Sequence, residues 1–353
     1  MKYFFTGGIV VILIFVSLII YQDRRTSISS LPYDDEQNGL EDQIIIHFSH
    51  VVAENTPKGL AATKFAELVH EKTNGKVIIR VYPNGILYND YNEFEALKNN
   101  DIQMIAPTFS KVTSYLPSWQ VLDLPFIIES EDELKQVLSG PLQDQLLAQL
   151  GKQDIKGLKF WSNGFKQIAS NDYPILEVED FQNLPIRVMN SELLKEQFAR
   201  LGATPIATSF GEVYNEIENK KIKAQDNTIS NLYSKGFHTY EKHITLSNHG
   251  IMGYAVMMNE SFWNGLDKDI QQQIVEALNE MSDWQFEQSI LLNEKSLNEL
   301  RTIDAVSIYT LTDEQKKAWK EKLSSIYSNS NRIIDDSYYK LLMEQLKISN
   351  GTK

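Results

Sequence analysis

Three cations stand where the chain pattern makes a charged side chain informative. Arg187 lies between Ile186 and Val188 in a short apolar run, where an unpaired guanidinium would be costly to bury. Two roles fit it equally: an ion pair with an acidic residue of its own chain, or a grip on an anionic ligand, for which its permanent charge and planar fork are suited. Lys111 follows Ala106-Pro107-Thr108-Phe109-Ser110, just past a predicted strand end, and can offer a second cation with Thr108 beside it. Lys166, in the Gly-containing stretch Asn163-Gly164-Phe165-Lys166-Gln167, reads by itself as surface charge. Asn227, with Gln225 just ahead of it, falls at the end of another predicted strand, the position at which open α/β sheets hold ligands. His50 and Glu54 precede a predicted helix, where loop structure and cleft lining are equally good readings. Phe210 is either core or an aromatic wall of a cleft.

Catalytic patterns are missing. The sequence has no nucleophile elbow, phosphate loop, dinucleotide glycine fingerprint, HExxH zinc site or calcium loop. His47 and His50, on a strand and its exit, point to opposite faces and make no metal pair. His238 and His243 flank a loop and read as surface or packing residues. Glu131-Asp132-Glu133 and Asp335-Asp336 read as solvated helix faces rather than paired catalytic carboxylates. The reading is a binding protein, not an enzyme, with no cofactor and no metal.

The elements that must position these residues alternate. Ile44 to Phe48 reads as a buried strand. Thr56 then offers an N-cap with Pro57 at the first helical position, and Leu60, Phe65, Leu68 and Val69 form an apolar face until Asn74-Gly75. Val77 to Tyr82 is a strand, Tyr91 to Asn99 a helix and Ile102 to Ala106 a third strand. A second series has strands near Lys159–Trp161, Ile186–Val188, Pro205–Ala207, Lys223–Gln225 and Gly253–Met258. This succession predicts two α/β lobes. From Asp267 to about Arg301 helical spacing continues without Pro or Gly, enough for a helix of about 50 Å, longer than one small lobe. A last helix starts at Thr312, with Gln315 completing a capping box.

Composition narrows the class. A chain of 353 residues, 42% apolar and 23% charged, has material for a core and is neither disordered nor polytopic. Its net charge of −13 repels nucleic acid on average. It has no cysteine, which excludes disulfides, thiolate metal sites and a lipid-modified N-terminal Cys. Tyr3 to Tyr21 is an uncharged apolar run followed by Asp23-Arg24-Arg25. It is long enough to span a membrane and lacks small residues at a cleavage site, so it is read as an export signal or a retained anchor. Residues 26–43 read as a tether, and the bulk of the chain is expected to be extracytoplasmic.

Phe48-Ser49-His50-Val51-Val52-Ala53-Glu54-Asn55-Thr56-Pro57-Lys58-Gly59, Tyr82-Pro83-Asn84 and Asp123-Leu124-Pro125-Phe126 resemble the N-terminal lobe of solute receptors of tripartite ATP-independent (TRAP) transporters. Asn163-Gly164-Phe165-Lys166-Gln167, Pro185-Ile186-Arg187-Val188-Met189-Asn190, Phe210-Gly211-Glu212-Val213-Tyr214, Ala224-Gln225-Asp226-Asn227 and Ser247-Asn248-His249-Gly250 follow in the order of the second lobe. Together they span about Ile44 to Tyr309, and the branch most resembled is DctP, which binds four-carbon dicarboxylates. The resemblance implies a two-lobed periplasmic-binding-protein-like (Venus-flytrap) fold with a long helix bracing both lobes. It implies lobe I at 44–164 and 253–290 and lobe II at 165–252 and 291–353, after a signal or anchor at 1–25. It implies that Arg187 holds a ligand carboxylate and that Asn190, Phe210 and Asn227 touch the ligand. Lys166 replaces an arginine common in relatives and loses its fork. The implied role is capture of a succinate-, fumarate- or malate-class anion by a monomer, for membrane carrier subunits or, alternatively, as a co-sensor with a histidine kinase.

Overall fold

The computed structural model describes residues 43–329 and 334–351. The apolar run Tyr3–Tyr21 and nearly all of the tether lie outside them. Among the described residues no helix is long and apolar enough to cross a membrane.

Nine strands make one mixed sheet: β1 (Ile44–Ser49), β2 (Val77–Tyr82), β3 (Met104–Ile105), β4 (Ile155–Ser170), β5 (Pro185–Val188), β6 (Thr204–Ala207), β7 (Ala224–Asn227), β8 (His243–Asn259) and β9 (Ser307–Thr310). Their order is β2-β1-β3-β8-β4-β7-β5-β6, with β9 also on β8. On one flank β2, β1 and β3 run parallel; on the other β7, β5 and β6 do the same. Each flank, with the helices on it, is one lobe. Antiparallel β4 and β8 join the flanks, paired from Ile155↔Asn259 through to Ser170↔His243, so both lobes share these two strands. Register shifts interrupt the pair between Gly157 and Lys159, Ser162 and Gly164, and Lys166 and Ile168, and such bulges bend and twist a strand. Gly164 has φ +82°, a conformation glycine adopts at no steric cost.

Local chemistry fixes the helix that faces the cleft. The Thr56 hydroxyl accepts the Gly59 amide and donates to the Ala53 carbonyl, and Pro57 opens the helix Pro57–Lys72. Its face of Ala61, Phe65, Leu68 and Val69 packs with Ile46, Phe48, Val77 and Met104 in the lobe I core, which also takes Ile270, Ile274 and Leu278 from the helix Lys268–Glu280. A second core gathers Phe210, Ile217, Ile229, Ile244 and Leu300. The third and largest runs from Phe94 and Trp119 through Phe160 to Ile186, Phe198 and Trp319, continuous across both lobes.

Two expectations about helices are corrected. The pattern after Asp267 is not one unbroken helix but two, Lys268–Glu280 and Ser282–Arg301, meeting at Met281. The Ser282 hydroxyl donates to the Leu278 carbonyl, a back-bond that competes with the backbone ladder and bends helices. The first segment packs on Pro57–Lys72, the second on β4 and on the helix Ile229–Ser234, so the pair still touches both lobes. The helix after Thr312 (Asp313–Asn329) is not the last, since Asp336–Gly351 follows. Asp313–Asn329 packs on Glu192–Leu201, whereas Asp336–Gly351 returns to Glu131–Ser139 and Pro141–Gln149, held by Gln345 against the Leu142 amide and the Gln136 carbonyl. The Thr312–Gln315 capping box is reciprocal in the structure.

Candidate functional site

A cleft of about 390 Å³, solvent at its mouth included, opens where parallel strands of both flanks end. Val51 and Val52 follow β1, Pro107 and Thr108 follow β3, Arg187 and Met189 belong to the end of β5, and Asn227 ends β7. Carboxyl ends of parallel strands are the regular ligand position in open α/β sheets. Asp90, Glu93 and Lys111 line the first lobe's wall, Phe210 and Asn231 the second's, and Met252 and Tyr254 of β8 the floor.

Arg187 is 1% exposed. Its Nε and Nη2 both donate to the Thr208 carbonyl, at 3.2 and 3.0 Å. One oxygen bonded by that pair sits along the side edge of the guanidinium, and of five N–H groups the terminal fork remains. No carboxylate lies within 4.0 Å of it among the described residues. Burial lowers its pKa, with Asp226 and Asp90 opposing.

Lys111 also lines the cleft, but its ammonium is paired with Asp90 at 2.8 Å. The same Asp90 oxygen accepts the Phe210 amide at 3.1 Å, so one carboxylate from the first lobe bonds the backbone of the second. Thr108, Asn227 and Phe210 line the cleft as well. Asn227 is locked by the Gln225 side chain, the Thr228 amide and the Asn231 amide nitrogen.

Five candidates lie elsewhere. Lys166 is 1% exposed and bound to Asp226 at 2.7 Å; it is neither surface charge nor a wall of the cleft. Burial pushes the Asp226 carboxyl up, and Lys166, His249 and Arg187 together pull it below the usual carboxylate range. Gln225 is buried behind Asn227 and donates to Glu241. Asn190 contacts the Ser114 and Thr113 hydroxyls across the lobes rather than the cavity. His50 is fully buried, its pKa lowered to about 3 by burial and by Lys58, and Glu54 is exposed on the turn before Thr56.

Sequence reasoning missed the polar groups behind the first wall. Lys58 is 1% exposed; its ammonium donates to the Ala106 carbonyl at 2.9 Å and stands 4.0 Å from the centre of the Tyr254 ring. Glu93 is 2% exposed and its Oε2 has no hydrogen-bond partner. Burial raises Glu93 to about 8, Asp90 adding to the shift and Lys58 opposing it. Burial lowers Lys58 to about 8, against Glu93 and Asp90. One signal was available: a lysine in the first turn of a helix opposes the helix dipole, so Lys58 needed a reason to be there.

Two lobes on shared strands, with a cleft between them at the carboxyl ends of their parallel strands, are the architecture of a two-lobed receptor for small solutes. The chain belongs to the bacterial extracellular solute-binding protein family 7 (DctP), whose pattern matches residues 48–332. It is 42% identical over 333 residues to the C4-dicarboxylate-binding protein DctB of Bacillus subtilis (strain 168), covering 94% of this chain and 95% of that one. Among solved structures it resembles a TRAP periplasmic solute-binding protein from Sulfurospirillum deleyianum with bound succinate (TM-score 0.81, 38% identity, 85% of this chain and 98% of that one). Another is the Pseudomonas aeruginosa PAO1 receptor with bound L-malate (TM-score 0.79, 32% identity, 81% and 99%). The two-lobed α/β fold and the extracytoplasmic class expected from the sequence agree with these findings.

Proposed function

We propose that the protein captures a four-carbon dicarboxylate of the succinate, fumarate or malate class in this cleft and delivers it to the membrane subunits of a TRAP-type transporter. The observation that carries the reading is the terminal fork of Arg187, buried in the cleft and in no direct ion pair with a carboxylate among the described residues. Relatives whose names and bound ligands are C4-dicarboxylates support the substrate class. Arg187 takes one ligand carboxylate in two parallel hydrogen bonds, with Asn227 on the same lobe, while Lys111, held by Asp90, and the Thr108 hydroxyl receive the other end from the first lobe. The ligand then bridges the lobes, and its greater affinity for the closed form drives closure. The run Tyr3–Tyr21 serves as export signal or anchor, placing the receptor outside the cytoplasmic membrane.

Calorimetry with succinate, fumarate and malate tests this. Losing one partner of a buried charge-assisted pair costs about 2–5 kcal/mol, so Arg187→Ala should weaken binding by roughly 30-fold to several thousand-fold. An Arg187→Ala protein that binds all three as tightly as the unsubstituted chain would remove the basis of the assignment.

A further inference from the structure

The cleft contains a carboxyl group that anion capture leaves unexplained. Glu93 lines the same cavity as Arg187, with Oε2 unpartnered and the residue 98% shielded from solvent. An acceptor-only group there should repel a dianion at close range. Each neighbouring cation is already held elsewhere: Lys58 by the Ala106 carbonyl and the Tyr254 ring, Lys111 by Asp90. Arg187, across the cleft, directs two donors to Thr208. The other titratable groups around Glu93 are Tyr115 and Tyr254, both raised chiefly by burial, and His50 behind Lys58, lowered to about 3.

Charge counting points the same way. Arg187, Lys111 and Lys58 against Asp90 and an ionised Glu93 leave a single positive charge for a ligand carrying two negatives. With Glu93 neutral, the cleft and the buried Lys58 behind its wall together carry two positive charges, which balance a dianion. The proton belongs on Glu93 rather than being lost from Lys58, because the ammonium has a carbonyl acceptor and an aromatic face, while the buried Oε2 of Glu93 has no donor among the described residues. We infer that Glu93 is a neutral carboxylic acid in the liganded cleft and donates its proton to a ligand oxygen, so that capture of a dicarboxylate dianion at alkaline pH takes up one proton. Burial of Glu93 agrees in direction. This makes Glu93 a ligand-contacting, specificity-determining residue, and the inference rests on the dicarboxylate reading above.

The test is calorimetric titration of the full chain in detergent solution with succinate at pH 7 and pH 9, each in two buffers of different ionisation enthalpy. The unsubstituted protein should absorb between about half and one proton per succinate at pH 9, with Kd about tenfold weaker than at pH 7. Glu93→Gln, a permanently neutral isostere, should absorb none and change Kd less than about twofold between the two conditions. A merely structural glutamate would not move the proton count. Binding with no proton uptake at pH 9 overturns this inference alone, as does Glu93→Gln retaining the uptake, which would assign the proton to another group such as Lys58. If Glu93→Gln does not fold, the proton count of the unsubstituted chain decides. Failure of succinate, fumarate and malate all to bind would overturn the dicarboxylate reading, and this inference with it.

Discussion

Arg187 and Lys166 are both fully buried cations, and their partners separate their roles. Arg187 has only a carbonyl oxygen; Lys166 has the Asp226 carboxylate, itself fully buried. Removing Lys166 therefore strands a charge: Lys166→Met should lower unfolding free energy by about 3–5 kcal/mol, and Lys166→Met with Asp226→Asn should recover much of the loss in urea denaturation. If the single and double substitutions unfold alike, the pair is not what holds this region. The same contrast explains what the sequence disclosed at this scale. Asn227 and Lys111 drew notice because they follow predicted strand ends, whereas Arg187 stayed evenly divided between two roles until the family resemblance was added. Lys166 was misread because its partner lies 60 residues away, and Glu93 because a glutamate opening a short helix looks like ordinary first-turn acid.

At the scale of elements, the turn that carries Val51 and Val52 to the cleft is set by the start of the helix Pro57–Lys72. A Cβ on Gly59 would lie 2.4 Å from the carbonyl oxygens of both Ala53 and Glu54. These are backbone atoms, so the turn itself must give way. Gly59→Ala should cost about 1–3 kcal/mol by overcrowding, seen as a lowered Tm, and should weaken succinate binding because Val51 and Val52 shift with the turn. An unchanged Tm would show that the turn is more pliant than its packing implies. The capped helix Pro57–Lys72 and most short strands were placed from period and caps, whereas the strand expected at Ile102–Ala106 is only Met104–Ile105 and Ser307–Thr310 was not read. The two long strands were seen only as fragments, Lys159–Trp161 and Gly253–Met258, because Asn163-Gly164 and Asn248-His249-Gly250 carry turn chemistry. In the fold β4 takes up Asn163-Gly164 at a register shift, and Asn248 adopts a positive φ within β8. The helix break at Met281 was invisible because no Pro or Gly marks it.

The whole molecule combines an acidic surface with a few ionisable groups deep inside, and acid tests that combination. The His50 ring is held neutral down to about pH 3 against an ordinary value of 6.5, so below 6.5 the unfolded chain binds a proton that the native chain does not. Its contribution to stability is complete above 6.5 and disappears as pH falls toward 3. Thermal melting between pH 7 and 4 should therefore show a shallower fall in Tm for His50→Asn than for the unsubstituted chain, whatever the offset between them. Equal slopes would mean that the native ring protonates freely. Two lobes were legible in the alternation of elements, but their common sheet was not, since pairing between β4 and β8 joins residues 73 to 104 positions apart.

That common sheet has a consequence for inheritance. Because β4 and β8 run through both lobes, β8 pairing with β3 at one end and β4 with β7 at the other, neither lobe owns a complete set of strands, and no single cut in the chain separates them cleanly. A chimera that borrowed one lobe from a relative would have to splice inside both strands, at the register shifts, or carry half of its donor's neighbour along. An engineered change of ligand preference is therefore most simply made by replacing side chains around an unchanged frame.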